Sequence, residues 1–230
     1  MQYRCPLCRT YGVVPEKARG HEVMCLKCRE HFFIPDQTLE ERLKLGIFVA
    51  ARRNDGEVIT AMAEQGADLD VQEEESGHTP LHIASFYGKL YAGRELIENG
   101  ASMEIRANKT VQTPLFYASR ENSPKIVQWL LDKGANPNLQ DPDGTTALHW
   151  AARKGFVDVA KVLIAGGADF RIESINGLRA LQFAVSYHQP EVRDYLIAVE
   201  RANKFIQNQR VRANKKSGTL NKFLFGFGES

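Results

Sequence analysis

The sequence predicts a mainly α solenoid of stacked two-helix units, preceded by a small four-cysteine module with short strands. Two observations carry this. One is a repeat of 33–34 residues running from about residue 43 to 207. A period of that length means similar units stacked on their neighbours, not one globular core. The other is that all four cysteines of the 230-residue chain fall within the first 28 positions, as two Cys-x2-Cys pairs. The chain divides accordingly into 1–38, 43–207, and a basic stretch 208–230 that is expected to be flexible.

Composition sets the outer limits. Hydrophobic content of 43% and charged content of 25% are those of a folded chain. No apolar run approaches the ~20 residues that span a bilayer. The opening residues lack an apolar signal core, so a reducing, cytoplasmic location is expected. The formal net charge of +2 conceals segregation: 6 basic and 5 acidic residues in 1–40, 17 and 22 in 41–200, 7 and 1 in 201–230. An acidic body thus carries a basic tail.

In the first module, Cys5-Pro-Leu-Cys8 and Cys25-Leu-Lys-Cys28 are separated by 16 residues. This is the spacing of a tetrathiolate zinc site. Two residues between thiols let a tight knuckle aim both sulfurs at one tetrahedral ion, and the second knuckle closes the shell. Cys5, Cys8, Cys25 and Cys28 are therefore the expected ligands of one structural Zn2+. A closed shell keeps no position for a reacting water. About 40 residues cannot bury a sufficient core, so the metal is expected to supply folding energy. Glu22–Met24 and His31–Ile34 read as short strands ending at Pro35. The run Tyr-Arg-Cys-Pro-Leu-Cys, with Val23-Met-Cys-Leu-Lys-Cys and Phe33-Ile-Pro, resembles the short N-terminal zinc ribbons of bacterial proteins. That resemblance implies a binding module for either protein or nucleic acid. Arg4, Arg9, Lys17, Arg19, Lys27 and Arg29 either balance the thiolate charge or face phosphates.

The repeat is anchored at two points. Thr79-Pro-Leu-His-Ile-Ala84, Thr113-Pro-Leu-Phe-Tyr-Ala118, Thr146-Ala-Leu-His-Trp-Ala151 and Arg179-Ala-Leu-Gln-Phe-Ala184 align at steps of 34, 33 and 33, and Gly-Ala pairs recur at 66, 100, 134 and 167. Thr before Pro is a helix opening, with Thr as cap and Pro at the first helical position. The Gly of each Gly-Ala pair closes a second helix, where a positive φ is favoured. Asp141-Pro-Asp-Gly144 reads as a turn at the tip of an extended arm. These motifs resemble ankyrin repeats. Units at about 76–108, 109–141 and 142–174 carry most of the pattern. Those at 43–75 and 175–207 are degenerate, as caps with one solvated side should be.

The resemblance implies that His82 and His149 are structural, each bonding the backbone of a projecting finger, and that Trp150 and Phe183 are core. The unit at 109–141 departs from the pattern. Thr110-Val111 stands for the Asp-Gly turn, Phe116 for His, and Asn122 for the inter-helix Gly. The resemblance further implies a concave binding surface along the first helix of every unit. Carried over position by position, it comprises Arg52, Arg53, Phe86, Tyr87, Arg120, Glu121, Arg153, Lys154, Ser186 and Tyr187. Five cations and one anion lie in that row, so basic residues concentrate on one stripe of an acidic body. The expected ligand is a protein, with an acidic or phosphorylated segment contacting Arg120 and Arg153 and anchored on Phe86, Tyr87 and Tyr187.

The acidic run Glu73-Glu-Glu75 reads as a solvated finger tip. Residues 190–212 read as a helix completing the last unit. The apolar end Phe223–Gly228 is expected either to dock on the array or to serve as a linear motif. No nucleophile elbow, P-loop, HExxH pair or dinucleotide fingerprint occurs. The expected function is that of a non-enzymatic, monomeric protein-binding adaptor. The alternative is a nucleic-acid-associated regulator, with the ribbon and basic tail on phosphates and the repeats recruiting a protein.

Overall fold

The computed structural model describes the backbone of residues 2–4, 11–13, 21–24, 31–34, 39–107 and 110–225, and the side chains of 43–107 and 110–210. Four short strands come first. β1 (Gln2–Arg4) pairs antiparallel with β2 (Tyr11–Val13), Arg4 facing Tyr11. β3 (His21–Met24) pairs with β4 (His31–Ile34), Met24 facing His31. The two hairpins therefore have the same internal spacing, offset by 20 residues. Cys5, Cys8, Cys25 and Cys28 lie outside the described residues.

Five helix pairs follow. They are α1 (Leu39–Arg53) with α2 (Gly56–Glu64), α3 (Pro80–Phe86) with α4 (Leu90–Glu98), α5 (Pro114–Arg120) with α6 (Pro124–Asp132), α7 (Ala147–Lys154) with α8 (Val157–Ala165), and α9 (Ala180–Ser186) with α10 (Pro190–Phe225). The first helices stack in succession as an inner layer and the second helices as an outer one. Ala50, Ala84, Ala118, Ala151 and Ala184 are fully or almost fully buried at one equivalent position of the inner helices. A small side chain there lets neighbouring helices approach. Leu96, Leu130, Leu163 and Leu196 fill the matching place in the outer layer, each burial contributing about 1.5–3 kcal/mol.

Each inner helix must turn sharply into its partner. Asn54, Gly88, Asn122, Gly155 and His188 occupy this turn, and all five have positive φ. Asn and Gly tolerate that conformation.

The extended segments between pairs fold into fingers, and these explain why the period drops from 34 to 33 along the chain. Glu73 N–H bonds the His78 carbonyl and Ala107 N–H that of Gln112, a closure over five residues. Asp141 N–H bonds Thr145 and Ser174 N–H bonds Leu178, a closure over four. One residue has been removed from the turn. Fingers are stapled sideways by one recurring position. Gln72 Nε2 donates to the Arg106 carbonyl (3.2 Å), Arg106 Nη1 to that of Gln140 (3.4 Å), and Gln140 Nε2 to that of Glu173 (3.2 Å).

Two expectations need correction. Trp150 and Phe183 are half-buried, not core, because their slot faces the groove described below. And α10 does not end near residue 212. It continues to Phe225, through a stretch with no Pro in which Lys215, Lys216, Leu220, Lys222 and Leu224 are good helix formers.

Candidate functional site

The groove side of the inner helices is built from residues one helical turn apart. Positions 83, 117, 150 and 183 hold Ile, Tyr, Trp and Phe. Positions three and four residues later hold the stripe read from the sequence. Residues at i and i+3 share a helix face, so Tyr117 and Trp150 each lie beside the arginine that follows. The Arg120 guanidinium sits 4.7 Å from the Tyr117 ring centroid, and that of Arg153 sits 5.1 Å from Trp150.

The contacts also run between units. Arg52 lies over Tyr87 (5.5 Å), Arg120 over Phe86 (5.7 Å) and Trp150 (6.0 Å), and Arg153 over Tyr187 (4.8 Å). Phe86 and Tyr87 meet edge to face at 4.9 Å. The result is a ladder of alternating cations and aromatic rings from Arg52 to Tyr187. Stacking of this kind is worth about 0.5–1 kcal/mol per exposed contact and fixes the long arginine chains. Six of the expected residues are thereby brought together: Arg52, Phe86, Tyr87, Arg120, Arg153 and Tyr187. Arg53 and Lys154 are exposed and join none of these contacts.

Two cavities open along the ladder. One, of about 430 Å³, is walled by Phe86, Tyr87 and Tyr117, with Arg52 at one side and Arg120 at the other. The second, of about 240 Å³, lies between Trp150, Arg153, Phe183 and the finger residues Asp143 and Asn176. The Arg120–Trp150–Arg153 cluster forms the ridge between them.

The floor of the first cavity was not legible as a unit. His78 Nε2 and Thr110 Oγ1 lie 2.7 and 3.0 Å from the Tyr117 hydroxyl. Glu73 is not a simple solvated tip. It accepts from the Ser76 hydroxyl at 2.7 Å and stands 3.8 Å from His78 Nδ1. Burial pulls the His78 pKa below its ordinary value, against the opposing pull of Glu73. The signal that would have located Tyr117 is the shared slot with Trp150 and Phe183, one turn before the stripe.

His82 and His149 lie beneath the groove and are buried. In each, Nε2–H donates to a finger carbonyl of the next unit, Gln112 at 3.0 Å and Leu178 at 3.1 Å. A carbonyl only accepts, so Nε2 carries the proton. Nδ1 then accepts from the capping threonine's N–H and hydroxyl, Thr79 at 3.1 and 2.8 Å, Thr146 at 3.1 and 2.9 Å. Every ring nitrogen is satisfied in the neutral state. Burial lowers both pKa values, His82 to about 4. These rings are structural. Phe116 cannot make such a bond, and there Asp141 organises the finger instead. It accepts from Thr145 N–H (2.9 Å), Thr145 Oγ1 (2.8 Å) and the Gln112 side chain (3.1 Å).

Among the described residues, no cluster of three or more His, Cys, Asp or Glu is disposed to hold a metal. No helix among them is long and apolar enough to cross a membrane.

The family model for ankyrin repeats (3 copies) matches residues 47–141 and 133–208. The chain belongs to the ankyrin-repeat family. Curated ankyrin relatives include an ankyrin repeat domain-containing protein of Stachybotrys chartarum, 30% identical over 84% of this chain and 9% of the relative. The B-cell lymphoma 3 protein homolog of Mus musculus is 36% identical over 61% of this chain and 24% of its own length. Neurogenic locus notch homolog protein 1 of Danio rerio is 32% identical over 58% and 5%. The chain thus spans only a small part of each of these relatives.

Proposed function

We propose that this ankyrin protein is a non-enzymatic adaptor whose concave face holds an extended segment of a protein partner. The observation that carries this is the continuous cation–aromatic ladder from Arg52 to Tyr187. Its rings and guanidinium groups are fixed by one another before any partner arrives. Pre-positioned aromatic and arginine side chains are those that contribute most to interfaces, and fixing them beforehand lowers the entropy cost of binding. Affinity capture with the full chain, against Arg120→Glu and Arg153→Glu variants of unchanged helical content, tests it. Loss of partner capture in the variants supports the reading, and equal capture discards it.

The N-terminal module is proposed to be a second, zinc-stapled binding unit. Each Cys-x2-Cys pair falls in the six residues between two paired strands, between Arg4 and Tyr11 and between Met24 and His31. Two such segments with thiolate donors fit one tetrahedral zinc ion. Cys5, Cys8, Cys25 and Cys28 would hold it, and its contribution is structural.

One observation favours a second reading, a nucleic-acid contact. From Arg201 to Phe225, α10 carries seven basic residues and no acidic one. A helix of that charge binding phosphates would lose affinity steeply with salt. No retention on DNA or RNA at low salt removes this reading.

A further inference from the structure

The ridge of the groove is rich in hydrogen-bond donors and poor in acceptors. Arg120 and Arg153 stack on one indole, their guanidinium carbons 6.0 and 5.1 Å from the Trp150 ring centroid, so the two are at most about 11 Å apart. Trp150 Nε1 is buried and has no hydrogen-bond partner among the described residues. Indole and guanidinium groups can only donate. Two carboxylates stand nearby. Glu121 accepts from Arg120 Nε at 2.9 Å, and Asp143 lines the cavity beside Arg153 without reaching it, since no described carboxylate lies within 4.0 Å of Arg153. The remaining N–H groups of two arginines and one indole exceed what the two oxygens of a carboxylate accept. A phosphoryl group brings three strong acceptor oxygens and a charge of about −1.5 to −2.

We propose that Arg120, Trp150 and Arg153 form a phosphoryl-binding site for a phosphorylated segment of the protein partner. This rests on the protein-binding reading given above. Guanidinium–phosphate bonds are about 2.8 Å long, so one phosphate held between the two stacked guanidinium groups can accept from both. The cavities on either side then take the neighbouring side chains. Packed helices lie about 8–10 Å apart and an extended chain advances about 3.3 Å per residue, so one unit corresponds to roughly three residues. The aromatic cavity beside Phe86, one unit from Arg120, selects an apolar side chain about three positions from the phosphorylated one.

The chain contains two tryptophans, Trp129 and Trp150, so indole N–H signals in a nitrogen–proton correlation spectrum report the site directly. Phenyl phosphate titrated into the full chain should move the Trp150 signal saturably, leave Trp129 in place, and bind at least about tenfold more tightly than benzoate, a difference of about 1.4 kcal/mol. Arg153→Glu should abolish the shift and Arg153→Gln weaken it, both retaining the helical circular dichroism. A Trp150 signal unmoved at about 20 mM, well above a millimolar dissociation constant, overturns the assignment, as does equal response to benzoate. For a captured partner, phosphatase treatment should release it. Capture lost in Arg153→Glu yet resistant to phosphatase overturns the phosphoryl site and leaves the protein-binding face standing. Capture intact in both discards the face itself.

Discussion

His82 donates its Nε2–H to the carbonyl of Gln112 at 3.0 Å, tying the inner helix of one unit to the finger of the next. The same bond recurs from His149 to Leu178. The other ring nitrogen of His82, Nδ1, accepts from Thr79 N–H at 3.1 Å, which requires a neutral ring, and burial holds the His82 pKa near 4.

Burial of His82 makes stability pH-dependent in a stated direction. Between about pH 6.5 and 4 the unfolded chain binds a proton at position 82 that the folded chain excludes. Stability from this group is therefore complete above pH 6.5 and drains away as pH falls towards 4. At 1.36 kcal/mol per pH unit the total is roughly 3 kcal/mol. His82→Gln is the informative variant, because Gln182 holds this position in the last unit and accepts from Arg179 N–H at 3.0 Å. It should be less stable than the native chain at pH 8 by about 1–2 kcal/mol, with the gap narrowing towards pH 5. Urea midpoints at the two pH values measure it. A constant gap would show that burial of His82 does not contribute to the pH dependence.

At the finger turn, Val111 takes φ +53 where Gly77, Gly144 and Gly177 take +70. A β-branched residue there costs about 1–2 kcal/mol, against about 0.4–1 kcal/mol of extra chain entropy for glycine. Val111→Gly should stabilise the array by up to about 1 kcal/mol, read as a higher urea midpoint. Gly144→Ala should do the reverse. Its Cβ would stand 2.8 Å from the Ile175 backbone nitrogen on the adjoining finger.

Ser85 and Ser119 occupy equivalent inner-helix positions, are buried, and their hydroxyls have no partner among the described residues. Ala51 and Ala152 fill the same place in neighbouring units and are also buried. An unpaired buried hydroxyl costs about 1–3 kcal/mol, and alanine is the better helix former. Ser85→Ala and Ser119→Ala should each raise the thermal midpoint, additively within about 0.5 kcal/mol since the sites lie in different units. A fall in either would reveal a partner for that hydroxyl.

The repeat was plain in the sequence because its anchors are chemical necessities. Thr79 and Thr146 cap helices, Gly100 and Gly134 take positive φ, and His82 and His149 satisfy finger backbone. The cation stripe followed from carrying the ankyrin pattern over position by position. What escaped was the other half of the site. Trp150 and Phe183, in one slot of the repeat, read as core, and Tyr117 in that slot is buried yet still lies under the Arg120 guanidinium. The i, i+3 offset to Arg120 and Arg153 contained the answer, since that spacing puts ring and guanidinium on one face. The sideways staples from Gln72, Arg106 and Gln140 left no trace, because two different residue types make equivalent bonds to backbone.

The N-terminal cysteines give the last prediction. If Cys5, Cys8, Cys25 and Cys28 hold one zinc ion, the purified chain carries one equivalent of zinc, and its thiols resist alkylation until a strong chelator is added. Thiolate ligands release the metal on protonation, so retention should fail as pH falls. The array draws its stability from its own buried alanines and leucines, so chelation should leave its helical signal and thermal midpoint unchanged. Replacing any one cysteine by serine should lower zinc affinity sharply, because one thiolate of a four-coordinate shell is lost. Metal analysis with thiol counting decides it: zinc content near zero with four freely alkylated thiols in freshly reduced protein would remove the metal from this module. Loss of array helicity on chelation would instead couple the two parts, and the metal would then stabilise the repeats as well as the ribbon.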